Sequence, residues 1–232
     1  MLLPIAILAG GLATRLRPLT ETIPKSLINI NGEYFISHQL RLLKTHGFTK
    51  VVICAGFLGE QIQQVIGDGK TYDLNIQYSF DGKTLLGTAG ALKKAISLLG
   101  ENFFVLYGDS YLPCQYHAIQ TTFFNNKTLA LMTVFLNQGK WGKSNVVFQH
   151  GRILAYDKAQ QTEQMQHIDY GLGIFNHTVF NLIPDNRPYD LAAVYQQVLV
   201  QNALSAFEVS ERFYEIGSQE GINEMNRYIS QK

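Results

Sequence analysis

The sequence has little cysteine and no long apolar run, and each shortage excludes a class of protein. Of its 232 residues only Cys54 and Cys114 are cysteines, too few for the disulfide framework of a small secreted domain. We interpret Cys54, in the apolar run VVICAG, as a core residue, and we expect the reducing environment of the cytoplasm. No stretch of about 18 apolar residues occurs, so we expect no membrane-spanning helix.

Charge is also scarce, and it is nearly balanced. Asp, Glu, Lys and Arg make up 16% of the residues, and the formal net charge is +1. This balance predicts no general attraction to nucleic acid or to an acidic membrane, and it is compatible with a homo-oligomer. The apolar N-terminus has no basic leader before it, so we interpret it as a first β-strand and not as a signal peptide.

Several common motifs are missing. Three Gly-Lys-Ser/Thr triplets occur, but the first glycine of a Walker loop is replaced in them by Gln64, Gln77 and Asn137. The dinucleotide-binding fingerprint fails at Leu12, where its second glycine should stand. There is no Gly-x-Ser-x-Gly elbow, and the histidines show no i, i+4 pairing. The sequence therefore predicts neither of these nucleotide loops and no serine hydrolase or paired-histidine metal site.

The segment from Leu8 to Lys25, LAGGLATRLRPLTETIPK, carries the clearest functional signal. An apolar run ends there in Gly10-Gly11, and Arg15, Arg17 and Pro24-Lys25 follow. Glycines let the backbone N–H groups approach a ligand closely, and guanidinium groups bind phosphate oxygens through paired hydrogen bonds. The segment therefore predicts a strand that feeds a polyphosphate-binding loop.

This segment resembles the signature of the sugar-1-phosphate nucleotidyltransferases, the nucleotide-sugar pyrophosphorylases. The Leu-Ala-Gly-Gly strand end, the Thr-Arg-Leu and Pro-Leu-Thr triplets and the final Pro-Lys all stand at the family's spacings. One position departs, because Ala13 occupies the place of the family's second loop glycine. If that residue has a positive φ, alanine costs about 1 kcal/mol. The resemblance implies that the nucleotide is bound by Leu8, Ala9, Gly10, Gly11 and Thr14, with Arg15 and Lys25 as catalytic cations.

Apolar runs and helix-spaced apolar residues alternate along the chain, which predicts an α/β fold with a parallel sheet between helices. The resemblance implies a Rossmann-like three-layer α/β/α nucleotide-diphospho-sugar transferase fold with a mixed, mainly parallel sheet. No linker or change in composition divides the chain, so we interpret residues 1–232 as a single nucleotidyltransferase domain. We predict strands at 3–8, 51–55, 74–78, 103–107, 128–135, 145–148, 153–157 and 168–175, and helices that end at Gly47, Gly67 and Gly100 or span 191–201 and 220–229.

Two further segments bear on the nucleobase. Gly87-Thr88 stands at a predicted helix start and is explained equally well by helix capping, whereas the resemblance implies that it meets the base. Asp81, in Phe80-Asp81-Gly82-Lys83, is either a turn residue or an acceptor for the adjacent N–H donors of guanine. A carboxylate suits guanine better than uracil, so the sequence favours GTP.

Two acidic residues are candidate ligands of Mg²⁺. Asp109 follows a predicted strand in Tyr107-Gly108-Asp109, where the family has its metal-binding aspartate. Glu215, in Phe213-Tyr214-Glu215-Ile216-Gly217, aligns with the second metal-binding aspartate of the family but is one methylene longer. The alternative explanations are a turn cap for Asp109 and a surface glutamate for Glu215.

A last group of residues is assigned to the sugar phosphate by the resemblance alone. Asp157-Lys158 corresponds to an acidic-Lys pair that holds the sugar phosphate, and Asp169-Tyr170-Gly171-Leu172-Gly173 to a strand that contacts sugar hydroxyls. Ordinary solvated surface explains the charged pair almost equally well. The sugar-phosphate candidates are Asn145, Asp157, Lys158, Asp169 and Gly173.

The sequence thus favours transfer of a nucleoside monophosphate from an NTP, with Mg²⁺, to a sugar 1-phosphate. The segments IDYGLGIF and ERFYEIGSQEG look like those of the short heptose-1-phosphate guanylyltransferases, and short uridylyltransferases for amino sugars share most of the same letters. A non-catalytic nucleotide-sugar-binding regulator of this fold is a second interpretation, favoured only by Ala13 and Glu215. A glycosyltransferase is a third, but the Asp-x-Asp that it needs is absent at Asp109.

Overall fold

A nine-stranded mixed sheet forms the centre of the protein in the computed structural model, which describes residues 1–185 and 187–232. Two pairs of two-residue strands lie outside this sheet. The central strands are β1 (Ile5–Ala9), β4 (Lys50–Ala55), β5 (Asn75–Phe80), β6 (Asn102–Tyr107), β8 (Ala130–Leu136), β9 (Val146–Gln149), β10 (Arg152–Tyr156), β11 (His167–Asn176) and β12 (Leu204–Val209). The short strands are β2 (Asn29–Ile30), β3 (Glu33–Tyr34), β7 (Ser110–Tyr111) and β13 (Tyr214–Glu215).

Six α-helices are described, and their ends follow local capping chemistry. They are α1 (Phe35–Thr45), α2 (Gly59–Ile66), α3 (Gly87–Leu99), α4 (Tyr116–Asn126), α5 (Leu191–Val200) and α6 (Gln219–Ser230). The side chains of Asp190 and Ser218 accept hydrogen bonds from backbone N–H groups in the first turns of α5 and α6. Gly67 and Gly100 end α2 and α3 with positive φ. None of these helices is both long and apolar enough to cross a membrane.

Strands β5, β4, β1 and β6 lie side by side in that order and run parallel. On the other side of β6 the antiparallel strand β11 follows, and it pairs in turn with β8 and β9. Strand β12 runs parallel to β8. The prediction of a mixed, mainly parallel α/β sheet is confirmed. Because parallel strands end at one edge, the loops after β1, β4 and β6 meet there.

Two apolar layers cover the two faces of the sheet. Along β1, Ile5 and Ile7 face one layer while Ala6 faces the other, as the two-residue period of a strand requires. The first layer contains buried side chains of α1 and α4, and the second contains those of α3 and α5. The three-layer arrangement follows from this division. A third apolar cluster joins the chain around residues 16–35 to α6.

Several elements were not predicted from the sequence. Helix α4 buries Tyr116, Ile119 and Phe123, but exposed Phe124 beside them blurs its apolar stripe. Strand β12 has weak alternation, and its strand character comes from its pairing with β8. The pair β7–β13 is also missed, because two-residue strands leave no periodic pattern.

Close packing between β11 and α5 requires a glycine at position 173. A Cβ there would lie 2.1 Å from the Tyr195 hydroxyl and 3.0 Å from the Leu131 carbonyl oxygen. Tyr195 is buried in the second apolar layer, so it has little room to move away.

We predict that Gly173→Ala lowers the free energy of unfolding by about 1–3 kcal/mol, the usual cost of overpacking a core. Urea denaturation monitored by circular dichroism measures this loss. In a Tyr195→Phe background, where the clashing oxygen is gone, the same substitution should cost clearly less. Equal costs in the two backgrounds would contradict the assigned clash.

Candidate functional site

Glycines allow three strand ends to meet at the carboxyl edge of the sheet. A Cβ on Gly56, after β4, would lie 2.6 Å from the Gly10 carbonyl oxygen. A Cβ on Gly108, after β6, would lie 2.6 Å from the carbonyl oxygen of Leu8, to which the Gly108 N–H donates at 3.0 Å. Side chains at these positions would force the strands apart. The Gly10-Gly11 and Gly108-Asp109 loops therefore lie side by side at this edge.

The loop after β1 has the strained residue that its sequence suggested. Ala13 has φ 48° and ψ 41°, the left-handed conformation that glycine adopts more easily. The Thr20 hydroxyl donates to the Ala13 carbonyl oxygen at 2.8 Å, and Leu16 N donates to the same oxygen at 3.1 Å. These bonds hold the turn that ends with Arg15 and Leu16. The alanine thus takes the geometry expected of the family's loop glycine.

A cavity of about 250 Å³ opens beside these loops and collects residues distant in sequence. Its lining includes nine of the candidates: Leu8, Ala9, Gly10, Gly11, Lys25, Asp81, Gly87, Thr88 and Asp109. It also includes residues that the sequence did not single out for a site, namely Ser26, Cys54, Leu85, Ala91, Tyr107 and Gly108. Thr14 is not part of this lining.

Asp81 forms part of the cavity wall at the end of β5. Its Oδ2 accepts a hydrogen bond from the backbone N–H of Leu86 at 3.0 Å. Burial raises the pKa of Asp81, and the Leu86 hydrogen bond and the charge of Lys94 partly offset this increase. The side chain therefore fastens the turn before α3 and also lines the cavity. Both interpretations of Asp81, turn residue and ligand contact, are compatible with this position.

Gly87 and Thr88 lie between the cavity and the start of α5. Gly87 has φ +69°, and a Cβ there would lie 2.7 Å from the Tyr189 carbonyl oxygen. The Thr88 hydroxyl accepts from the Leu191 N–H at 2.7 Å. The Thr88 hydroxyl is thus used in tying α3 to α5, while the residue still lines the cavity.

The strongest electrostatic contact in the cavity joins two candidates. Lys25 Nζ lies 2.8 Å from Asp109 Oδ2, and both side chains are largely buried, at 19% and 28% exposure. Lys25 opens a short 3₁₀ turn after Pro24, whereas Asp109 follows β6. The pair places a cation beside a carboxylate at the end of the predicted polyphosphate-binding segment, residues 8–25.

A second carboxylate, Glu215, approaches Asp109 through a two-strand contact. Glu215 on β13 is opposite Ser110 on β7, and Ile216 N donates to the Asp109 carbonyl oxygen at 3.0 Å. Glu215 is exposed at a cleft mouth, yet the surrounding protein removes much of its hydration. This desolvation, and then the Asp109 charge, raise the pKa of Glu215 to about 7, while Arg15 and Lys25 oppose the increase.

These residues fit a divalent cation. No group of three or more His, Cys, Asp or Glu side chains in the described chain forms a ready metal centre. Mg²⁺ needs only one or two carboxylates when phosphate oxygens and water complete its coordination. The pairing of β7 with β13 supports the fit, because it places Glu215 opposite Ser110, the residue after Asp109, and so brings two carboxylates, which have cationic side chains nearby, to one side of the cleft.

Arg15 lies on the other side of Glu215, in a neighbouring pocket of about 270 Å³. A Cβ on Gly217 would lie 3.0 Å from its guanidinium nitrogen, so the arginine passes close to the backbone after β13. Lys140, Trp141 and Arg212 line the same pocket, and Arg212 lies over the Trp141 ring at 4.8 Å. The sequence assigned no role to these three: Lys140 and Trp141 lie outside the quoted motifs, and Arg212 lies within ERFYEIGSQEG, where only Glu215 was a candidate.

The residues assigned to the sugar phosphate divide into two groups. Lys158 Nζ lies 3.6 Å from Asp169 Oδ2 and 3.4 Å from the Tyr107 hydroxyl. Burial alone would lower the pKa of Lys158, but the charge of Asp169 together with the Tyr107 hydroxyl and the charge of Asp190 outweighs this effect and raises the pKa, so the amine stays protonated. Tyr156 donates to the same Asp169 oxygen at 3.1 Å. Lys158 and Asp169 therefore form a charged cluster next to Tyr107, which lines the cavity.

The structure does not bring the other sugar-phosphate candidates to this cluster in the same way. The Asn145 side-chain oxygen accepts a hydrogen bond from Asp169 N at 2.9 Å and so holds the backbone of Asp169 in place. Asp157 is half-buried, and its side chain accepts hydrogen bonds from Ala159 N and Gln160 N, as a turn cap does. Gly173 lies under Tyr195 in the core. A Cβ on Gly171, which has φ +95°, would lie 3.5 Å from both the Tyr107 ring and the Ser110 hydroxyl, so Gly171 is the glycine of β11 that reaches the site.

Comparison with known proteins identifies the family. A family model described as "Nucleotidyl transferase" matches residues 5–231. HddC from Yersinia pseudotuberculosis, solved in complex with GMP-PN, has the same fold, with a TM-score of 0.81 at 19% identity over 99% of this chain and 100% of that one.

Three curated relatives differ in the nucleotide that their names imply. A UTP–glucose-1-phosphate uridylyltransferase of Synechocystis is 30% identical over 89% of this chain and 58% of its own length. A mannose-1-phosphate guanyltransferase of Yarrowia lipolytica is 30% identical over 91% and 60%. An N-acetylmuramate alpha-1-phosphate uridylyltransferase of Neisseria meningitidis is 45% identical over 44% of this chain and 45% of its own length. The chain thus spans about three-fifths of the length of the first two relatives, and its alignment with the third covers 45% of that protein.

Proposed function

The chain belongs to the nucleotidyl transferase family, and from this premise we propose that it transfers a nucleoside monophosphate from an NTP to a sugar 1-phosphate. The observation that carries the proposal is the convergence of Lys25, Asp109 and Glu215 at the end of the Gly10-Gly11 loop. We also propose that residues 1–232 act as one catalytic domain, since strands from both halves form one sheet. A cytoplasmic location is part of the same proposal.

In the proposed reaction, an oxygen of the sugar 1-phosphate attacks the α-phosphorus of the NTP. The bond from the α-phosphorus to the oxygen that bridges the α- and β-phosphates breaks, and pyrophosphate leaves. No covalent enzyme intermediate is needed, so the protein contributes position and charge. Backbone N–H groups of Gly10-Gly11 and the guanidinium of Arg15 bind the triphosphate oxygens. Lys25 offsets the negative charge that grows at the α-phosphate.

Asp109 and Glu215 would hold Mg²⁺, which when bound neutralises phosphate charge and polarises the α-phosphate. Lys158, kept cationic by Asp169, holds the phosphate of the acceptor sugar. Asn145 keeps the Asp169 backbone in place through their hydrogen bond.

We further propose GTP as the preferred nucleotide and a heptose 1-phosphate as the acceptor class. Support comes from the IDYGLGIF and ERFYEIGSQEG segments, the guanyltransferase relative and the position of Asp81 in the cavity wall. Asp81 Oδ1 has no protein hydrogen bond among the described residues, so it is available to N–H donors of guanine.

One observation favours a second candidate, a uridylyltransferase for an amino-sugar 1-phosphate. The Neisseria relative has the highest identity of the three, 45% over 104 residues, and its name specifies uridylyl transfer to N-acetylmuramate 1-phosphate. Transfer assays with a panel of sugar 1-phosphates and each NTP separate the two candidates. Failure of transfer with every pair would favour the non-catalytic regulatory interpretation.

Lys25→Ala should reduce kcat by roughly 10²–10³-fold, the cost typical of one lost charge-stabilising donor. Pyrophosphate release at saturating substrates measures this change, and circular dichroism checks the fold. The surface pair Lys44–Asp73 supplies a matched control, because Lys44→Ala also breaks a Lys–Asp contact but lies outside the cleft. Wild-type turnover in folded Lys25→Ala protein would refute a catalytic role for Lys25.

Asp109→Asn should abolish the Mg²⁺-dependent reaction, because an amide binds Mg²⁺ far more weakly than a carboxylate. Glu215→Gln should have a similar effect, while the exposed control Asp73→Asn should have none. Rates are measured over a Mg²⁺ titration. A severe effect of Asp109→Asn beside a harmless Glu215→Gln would move the second ligand away from Glu215.

A competition assay with equal GTP, UTP, dTTP and ATP should yield mainly the GDP-sugar. Asp81→Asn keeps an acceptor oxygen for the Leu86 N–H but replaces the other carboxylate oxygen with a donor. This variant should lose about 1–3 kcal/mol of preference for GTP, the value of a bidentate base contact.

Wild-type preference for UTP or dTTP would reject the assignment of the base. Preference for GTP that persists in Asp81→Asn would reject only the role of Asp81.

A further inference from the structure

The two candidate metal ligands are joined by a small sheet that has little support of its own. Strands β7 and β13 contribute only two residues each, and they pair Tyr111 with Tyr214 and Ser110 with Glu215. Isolated two-stranded pairs are at best marginally stable in water. The position of the Glu215 carboxylate relative to Asp109 therefore depends on whatever packs against this pair.

Aromatic side chains of α6 and the two strands form that support. The rings of Tyr214 and Tyr228 are stacked, with centroids 4.1 Å apart and an interplanar angle of 24°. The Tyr228 ring also meets Tyr111 at 5.8 Å. One ring of α6 thus contacts both strands of the pair.

Cationic side chains complete this packing. Lys232 Nζ lies 4.7 Å from the Tyr228 ring centroid and 5.3 Å from that of Tyr111, and it contacts the Tyr111 hydroxyl at 3.3 Å. The Arg212 guanidinium lies 5.0 Å from the Tyr214 ring and forms an ion pair with Glu224 of α6. We call Tyr111, Tyr214, Tyr228 and Lys232 the tyrosine cluster.

Strand geometry links this cluster to the carboxylate. Successive side chains of a strand point to opposite faces, so Tyr214 and Glu215 leave β13 in opposite directions. A ring fixed on one side therefore sets the direction of the carboxylate on the other. Ile222 and Met225 of α6 are buried in the third apolar cluster, which also contains Ile216, so side chains other than Tyr228 help to attach α6 to the protein. The Tyr214–Tyr228 stack is therefore not the only contact that attaches α6, and its position on β13 allows it to orient that strand.

We propose that Tyr228 is a positioning residue for the Asp109–Glu215 pair and acts through its stack on Tyr214. This inference rests on the proposed function, which makes the two carboxylates metal ligands. Groups that orient metal ligands typically change metal affinity when they are removed, even though they do not touch the ion.

The test measures Mn²⁺ binding to the full chain by electron paramagnetic resonance of the free ion, in the presence of a non-hydrolysable NTP analogue whose phosphate oxygens complete the coordination and with the analogue alone as the blank. Tyr228→Leu removes the ring and should raise the dissociation constant of Mn²⁺ roughly tenfold, the lower end of what such supporting groups contribute. Tyr228→Phe keeps the stack and should bind as the wild type does. In assays the Mg²⁺ activation constant should rise similarly, with the KM for NTP at saturating Mg²⁺ unchanged.

Asn226→Ala supplies a matched control on the same helix. Asn226 Oδ1 accepts from Asn31 N at 2.7 Å, so its loss loosens α6 without touching the tyrosine cluster. We expect unchanged Mn²⁺ affinity in this variant. Lys232→Met, at an exposed position, removes the cation from two rings and should raise the dissociation constant less than Tyr228→Leu does, which covers the case that Tyr228→Leu fails to fold.

The outcomes separate the two proposals. A wild type that binds Mn²⁺ and transfers nucleotide, with Tyr228→Leu or Lys232→Met binding equally well, overturns the positioning role alone. An equal loss of affinity in Asn226→Ala also overturns it, since general loosening of α6 would then be the cause. A wild type that neither binds Mn²⁺ nor transfers nucleotide removes the proposed function, and the positioning role with it.

Discussion

The close approach of three strand ends is the constraint on which the rest of the site depends. Strands β1, β4 and β6 can converge only because Gly10, Gly56 and Gly108 leave room for neighbouring backbone. This convergence brings the loop after β1 against the loop that carries Asp109. It also opens the cavity between them, with walls from β5 and α3. A rigid parallel sheet thus fixes the position of groups that are far apart in sequence.

Electrostatic balance then determines what this cleft can accept. Lys25 and Arg15 offset the charges of Asp109 and Glu215, so two carboxylates can remain close in the free protein. Phosphate oxygens would compete for the same cations and leave the carboxylates to a divalent ion. The arrangement therefore suits an anion and a cation that bind together, as a metal–triphosphate complex does.

The sequence predicted most of the fold where its patterns were periodic, and nine of the candidate site residues that it singled out line one cavity. The strands and helices of the first half follow from apolar runs closed by glycines. Helix α4 and strand β12 were missed, because their patterns are weak and tertiary contacts hold them in place. The left-handed conformation of Ala13 could be anticipated because the alanine occupies a position where the family has a loop glycine.

Short motifs were less informative than the long one. The resemblance assigned Gly173 to the sugar phosphate, but Gly173 lies beneath Tyr195. Gly171, two residues earlier on the same strand, reaches the site instead. Which of two glycines so close in sequence reaches the site is decided by the three-dimensional structure. Cys54, Ala91 and Leu85 line the cavity, yet in the sequence they look like ordinary core residues.

The double use of Asp81 limits how the nucleotide preference of such a protein can evolve. Asp81, which lines the cavity and for which we propose a contact with the base, also holds the turn before α3 by accepting a hydrogen bond from the Leu86 N–H. Any substitution other than one that keeps an acceptor oxygen, as Asn does, would leave this buried donor unpaired and would lower the small free energy of unfolding. A change of nucleotide is therefore easiest after stabilising substitutions elsewhere, or through neighbours of Asp81 that have no such second task.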